Sequence, residues 1–363
     1  MKKKVDRIMR LMLSTILVFL FAVAALMPAV AAASDEIPFA GKSPIDDGRD
    51  HRKPGPYKAG FASVWAGNTW GVQAIHEVEY ALSSNPDISE WWVTDADFNA
   101  SKQVADIEDL LAKGIDLLVL QPVNAEALTP VIEEAYNRGV VVVTTASKLE
   151  TDKYTAALVS DETEFGRAGG TWLVEKLGGK GNVIILDGMS GIATADQRRA
   201  GAMSVFDKYP DIKVVAKEFA DWDYAKGKMA TENMLAANPV IDGVWSSGGD
   251  MTRGAIEAFV ENGRPLIPMT GEDGNGFLKL WKKYIDDPGF DSIATTMPAW
   301  IYGEGVNTGV RILKGEPYEK EVVNPVPTIL RDTLDEYVRD DLNDSFWANT
   351  RLPEELIQKF YGQ

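Results

Sequence analysis

Five short stretches of this 363-residue chain combine aromatic, glycine and hydrogen-bonding residues in ways that could hold a small hydroxylated molecule. The first is Ser63-Val64-Trp65-Ala66-Gly67-Asn68-Thr69-Trp70, which brings a hydroxyl, an amide and two indoles close together. An indole offers a flat apolar platform for the C–H face of a sugar ring and a polar N–H at its edge. Asn68 has a second reading, as the cap of the helix that follows. In the second stretch, Asp187-Gly188-Met189-Ser190-Gly191 leads to Asp196-Gln197-Arg198-Arg199. An arginine there can donate several hydrogen bonds in a fixed fork to ring or hydroxyl oxygens. The third is Ala220-Asp221-Trp222-Asp223, where Trp222 could stack and Asp223 could accept hydrogen bonds or cap a helix. Ser246-Ser247-Gly248-Gly249-Asp250 and Gly271-Glu272-Asp273-Gly274-Asn275 complete the set, the latter with carboxylates suited to accept hydroxyl protons from a neutral ligand.

Other chemistries are poorly supported by the same residues. Glu272 and Asp273 are neighbours on one turn, and nothing pairs them across a cleft as glycoside hydrolysis requires. The glycines around Gly188 lack dinucleotide spacing and the Lys-Ser/Thr pair of a triphosphate loop. With His51 and His76 the only histidines and no cysteine, neither a zinc site nor a Ser-His-Asp triad is expected. Asp95-Ala96-Asp97-Phe98-Asn99, with Asp106, imitates a calcium loop but lacks its turn glycine and terminal glutamate, and reads better as helix caps. No metal, no cofactor and no catalytic residue is expected. The chain carries 37 basic and 54 acidic residues, a balance that repels nucleic acid and anionic lipid.

The elements that must position these groups follow from hydrophobic patterning. A basic start (Lys2, Lys3, Lys4, Arg7, Arg10) runs into the apolar stretch Leu11 to Leu26 and then Ala29-Val30-Ala31-Ala32-Ala33, which reads as a cleavable secretory signal over 1–33. Without cysteine, no lipid anchor can be attached after it, so a freely diffusing periplasmic protein is expected. Residues 34–56, rich in Asp, Gly and Pro, read as an extended leader. From Tyr57 onward short apolar runs alternate with amphipathic segments, the pattern of βαβ units on parallel sheets. Ten strands are predicted, beginning near Lys58, Ser89, Ile115, Val140, Thr155, Asn182, Lys213, Gly243, Leu266 and Ser292. Helices are predicted between them, among them Trp70 to Ser84 and Ser101 to Lys113, each with one apolar stripe. That series is about twice what one doubly wound sheet needs, so two α/β lobes are expected. Ligands of such sheets bind beyond the C-terminal ends of the strands, where the five stretches fall.

With these elements placed, the chain from about Tyr57 to Pro327 resembles the periplasmic sugar-binding proteins of the ribose-binding type. The motifs that carry the likeness include Gly67-Asn68-Thr69-Trp70, the Gln103 to Gly114 helix leading to Asp116 and Gln121-Pro122, and Ser160-Asp161 with Phe165-Gly166. Further along come Gly188 to Gly191 with Arg198 and Gly201, Trp222-Asp223, Gly271 to Gly274, and Met297-Pro298. The resemblance implies two doubly wound parallel-sheet lobes joined by three crossovers near Ser160, Thr296 and Pro325 to Pro327. It implies an N-terminal lobe over 57–159 plus 297–325, and a C-terminal lobe with tail over 160–296 plus 326–363. Ser63, Asn68 and Trp70 would face a ligand from the first lobe and Arg198, Trp222 and Asp273 from the second, with Thr296 at a crossover. Trp65, Asp223 and Gly248 join them as site residues. Where the ribose pattern has an Asp-Arg pair this chain has Ala146 and Ser147, and where it has Asn this chain has Gly248, so a ligand other than ribose has room.

The implied function is a monomeric, non-enzymatic solute receptor that closes on a sugar or polyol and delivers it to the permease of an ABC importer. A sensing role with a chemoreceptor or histidine kinase, and a secreted sugar-active enzyme, are the alternatives. Trp222→Ala or Arg198→Ala is expected to abolish ligand binding with little effect on the unliganded fold. The tail, 328–363, is expected to pack on the second lobe.

Overall fold

Leu117–Leu120 and Val141–Ala146 are buried at every position, as strands covered by helices on both faces must be. The computed structural model describes residues 46–363; the expected signal segment and the start of the leader lie outside the described residues. The strands are β1 (Tyr57–Ser63), β2 (Ile88–Asp95), β3 (Leu117–Leu120), β4 (Val141–Ala146), β5 (Ala156–Ser160), β6 (Lys180–Asp187), β7 (Asp211–Phe219), β8 (Gly243–Ser246), β9 (Met269–Gly271), β10 (Ser292–Thr295), β11 (Glu321–Asn324) and β12 (Thr328–Ile329). The helices are α1 (Thr69–Ser84), α2 (Ala100–Ala112), α3 (Ala125–Asn137), α4 (Glu162–Lys176), α5 (Ala193–Phe206), α6 (Tyr224–Ala237), α7 (Gly249–Glu261), α8 (Asn275–Lys283), α9 (Ile301–Leu313), α10 (Leu334–Tyr337) and α11 (Glu354–Tyr361).

Two sheets of six strands result, in the orders β2-β1-β3-β4-β5-β11 and β7-β6-β8-β9-β10-β12. The two orders are equivalent, and every pairing is parallel except that of β10 with β12. The chain passes between the sheets three times. After β5 it enters α4, which packs on β8, β9 and β10; after β10 it enters α9, which packs on β3 and β4; and β11 is followed directly by β12.

Helix starts are fixed by side chains just past the strand ends. Asn68, Asn99, Asn124, Asp161 and Asp223 each accept a hydrogen bond from a first-turn backbone N–H. Apolar faces of these helices close over the sheets. Ile107, Leu110, Leu128 and Ile132 bury against β1, β3 and β4 in the first unit, and Ile256, Phe259, Phe277 and Trp281 anchor the core of the second.

Two features differ from the sequence reading. The described part of the leader is extended but docked: Asp47 accepts hydrogen bonds from Tyr136 and Tyr318, both at 2.8 Å, and Arg49 lies 3.8 Å over the Tyr136 ring. The tail does not pack on the second lobe alone. Phe346, Leu352, Ile357 and Tyr361 form their own apolar cluster, which also covers Tyr80 of α1 in the first lobe. Asn275 of α8 holds the tail from the other side, its amide donating to the carbonyls of Arg339 and Asn343 at 2.8 and 3.1 Å. Among the described residues no helix is long and apolar enough to cross a membrane.

Candidate functional site

The segments that leave the C-terminal ends of both sets of strands converge on one cavity of about 660 Å³, mouth included. The β1–α1 turn supplies Trp65 and Asn68, the start of α1 supplies Trp70, and the turns after β2 and β3 supply Phe98 and Gln121. From the second sheet come Thr194 and Arg198 of α5, Trp222 after β7, Gly248 and Asp250 after β8, and Glu272 after β9. Met297 enters from the β10–α9 crossover and Trp347 from the tail. A second cavity shares Trp65, Asn68, Trp222 and Asp250 with the first and adds Asp223 and Lys226.

The aromatic side chains are held by neighbours that leave room for them. Trp65 packs on Phe98 with ring centroids 4.9 Å apart, and a Cβ at Gly67 would fall 2.1 Å from the Trp65 indole nitrogen. Trp70 donates from Nε1 to the Met297 carbonyl at 2.9 Å and meets Tyr302 edge-on. Trp222 donates to the Ser247 carbonyl at 3.1 Å, and its ring runs past Gly188 and Gly248. A Cβ at Gly188 would lie 2.3 Å from that ring and one at Gly248 2.8 Å from it. Gly248 has extended backbone, so its glycine is demanded by the indole and not by a turn. This gives a physical reason for the missing Asn: any side chain there would displace Trp222.

Polar groups in the wall are partly committed to one another. Arg198, 3 % exposed, donates to Glu162 at 2.6 Å, to the Ser247 carbonyl at 2.8 Å and to both oxygens of Glu272, and lies 3.6 Å over Phe165. Four of its five donors are thereby engaged. The fork expected for a ligand is therefore mostly used inside the protein, because two distant carboxylates arrive where sequence alone showed none. Burial works against the charge of Arg198, but Glu162 and Glu272 outweigh it and raise its pKa. Glu272 is pushed up to about 7 by burial, although Arg198 pulls the other way. Burial likewise raises Asp250 and Asp273. Asn68 spends its Oδ1 on the N–H of Gly71 at 2.7 Å, so it is both helix cap and wall residue.

Of the ten residues expected at the site, Trp65, Asn68, Trp70, Arg198, Trp222 and Gly248 line the central cavity. Asp223 caps α6 and lies only on the outer cavity. Ser63, Asp273 and Thr296 are buried off both walls. Asp273 and Thr296 instead meet the tail: Asn349 donates to Asp273 Oδ2 from its backbone at 2.7 Å and its side chain at 2.9 Å, and to Thr296 at 3.4 Å. Phe98, Gln121, Thr194, Met297 and Trp347 line the cavity without having been singled out as ligand residues. Phe98 carries a signal, since it sits in a strand-to-helix loop at the C-terminal end of β2, the side of the sheet where ligands bind. Among the described residues no cluster of His, Cys, Asp and Glu could hold a metal ion.

Residues 59–317 match the periplasmic binding protein domain family. The xylitol-binding protein of Mycolicibacterium smegmatis is 30% identical over 259 residues, 70% of this chain and 72% of that protein. The ribose import binding protein of Bacillus subtilis is 30% identical over 64% of this chain and 75% of its own length. Among solved structures, the fructose-binding periplasmic domain of a hybrid two-component system superposes with a TM-score of 0.67 at 29% identity, covering 77% of this chain and 92% of that one. An ABC transporter solute-binding protein from Thermobispora bispora superposes with a TM-score of 0.74 at 25% identity, covering 84% and 94%. The chain belongs to the periplasmic binding protein domain family, alongside sugar- and polyol-binding relatives.

Proposed function

We propose that this protein is an extracytoplasmic receptor that closes its two lobes on a sugar or polyol and hands it, unaltered, to an ABC importer. The observation that carries the reading is the cavity itself, where Trp65, Trp70, Trp222 and Trp347 surround Asn68, Gln121 and Asp250. Flat apolar faces ringed by hydrogen-bonding edges suit a ring or chain that presents C–H on its faces and hydroxyls around its rim. Glu272 is tied to Arg198, which disfavours its use as a general acid or nucleophile. Closure follows because a ligand reaches both lobes only when they meet, so it shifts the population toward the closed state. The xylitol- and ribose-binding relatives and the expected secretory signal support delivery from the periplasm. A sensing role has its own support in the hybrid two-component neighbour, whose sugar-binding domain shares this fold.

A thermal-shift screen against ribose, xylitol, D-allose, D-fructose, L-arabinose and myo-inositol tests the proposal. A ligand at a hundred times its Kd adds about 2.7 kcal/mol, or roughly 4–5 °C for a protein of this size. Raised melting temperature with one or more of these, and recovery of the compound unchanged, is the expected result. No shift with any of them, or conversion of the bound compound to product, contradicts it.

A further inference from the structure

The tail reaches the cleft through contacts that neither lobe can replace. Gln73 of α1 is fully buried, and its amide exchanges two hydrogen bonds with the backbone of Trp347, each 2.8 Å. Glu77, one turn further along α1, accepts from the Arg351 backbone at 3.0 Å and from the Thr350 hydroxyl. Arg351 also pairs with Glu304 of α9 at 2.8 Å. On the other side Ala348 donates to the Asp273 carbonyl at 3.1 Å, and Gly274 bridges to Trp347. Without the tail, buried Gln73 and Glu77 would lose their partners.

Trp347 also fixes the direction of a relay into the cavity. Its Nε1 lies 2.9 Å from Thr69 Oγ1, and Thr69 Oγ1 lies 2.6 Å from Asp250 Oδ2. An indole N–H can only donate, so the Thr69 hydroxyl accepts from it and turns its single proton to Asp250. The Asp250 carboxylate is thereby held with Oδ2 occupied, while Oδ1 takes no hydrogen bond from the described residues. Asp273, the carboxylate expected at the ligand, has Oδ2 filled twice by Asn349 and lies off the cavity wall, with Oδ1 buried and unpaired.

Resting on the sugar or polyol reading above, we infer that the tail completes the ligand site: Trp347 walls it and, through Thr69, aims Asp250 at ligand hydroxyls, while Asn349 withdraws Asp273 from them. Asp250 is the carboxylate that reads the ligand, and Trp347 and Asn349 are the residues that position the two acids. A ligand hydroxyl near α7 is recognised in place of one near β9.

The test titrates the parent protein, Asp250→Asn, Asp273→Asn and Trp347→Phe with the panel compound that stabilises the parent most. Asp250→Asn keeps the shape and removes the acceptor charge, so its affinity falls about tenfold to a hundredfold with the unliganded melting temperature held or raised. Trp347→Phe keeps an apolar ring and removes the donor, and weakens binding roughly three- to tenfold. Asp273→Asn lowers the melting temperature through the tail and weakens binding less than Asp250→Asn does. A larger binding loss for Asp273→Asn than for Asp250→Asn, or parental affinity in Trp347→Phe, overturns the inference while the receptor reading stands. Should Trp347→Phe fail to fold, Thr69→Val breaks the same relay, with the same loss expected and parental affinity again overturning it. If the parent binds no compound of the panel, the receptor reading fails first and takes the inference with it.

Discussion

The Thr69 hydroxyl, at the first residue of α1, donates to the carboxylate of Asp250, in the first turn of α7, at 2.6 Å and so ties the two lobes together across the cleft. This bond exists only when the lobes meet. Thr69→Val therefore removes a closed-state contact and leaves Asp250 and the Trp347 N–H without it. We predict a drop in ligand affinity of roughly three- to tenfold and a more open average shape by small-angle X-ray scattering. Unchanged affinity and unchanged dimensions would show that closure does not use this bond.

Gly248 and Gly188 make the slot in which Trp222 lies. Gly248→Ala should push the indole out of its hydrogen bond with Ser247 and weaken ligand binding about tenfold, comparable to trimming part of the ring. Because the backbone of Gly248 is extended, the unliganded melting temperature should fall little. The intrinsic fluorescence of the variant, compared with Trp222→Phe, reports whether the indole has moved.

Arg198 holds Glu162 and Glu272 together in a site almost closed to water. Read from sequence, its removal spares the unliganded fold; read from the structure, it strands two buried carboxylates. Arg198→Met should cost about 3–5 kcal/mol, measured by urea denaturation, and lose ligand binding as a consequence. A variant as stable as the parent would mean that the ion bridge is not formed.

Much of the fold was legible in the sequence because parallel strands buried on both faces are near-continuous aliphatic runs, as at Val140 to Val143. Each of the ten expected strands has a counterpart, whereas β11 and β12 were missed. Those two are only 4 and 2 residues long, too short to show periodicity, and sit at sheet edges. Six of the expected site residues line the cavity because type and position just past a strand end suffice to place an indole or an amide. The fate of Arg198 and Asp273 was not legible, because it depends on Glu162, Glu272 and Asn349, which approach only in three dimensions. Trp347 was hidden for the same reason: the stretch Ser345-Phe346-Trp347-Ala348-Asn349-Thr350 has no pattern that announces an inward-facing loop.

Glu272 gives a pH dependence whose sign is fixed. Its folded pKa, pushed up to about 7, exceeds the ordinary 4.5, so the folded protein holds the proton more tightly. The stabilisation from this group is complete below about 4.5, declines as pH rises toward about 7, and is constant above it. The difference in stability between the parent and Glu272→Gln should therefore shift against the parent across that window. A difference independent of pH from 4.5 to 7 would place the Glu272 carboxyl in its ordinary range.

Native mass spectrometry of the purified protein with the sugar and polyol panel measures capture without conversion most directly. The account predicts one molecule bound per chain, released at its original mass on unfolding, and absent from Trp222→Ala. A parent that retains none of the compounds, or that releases one with altered mass, contradicts it.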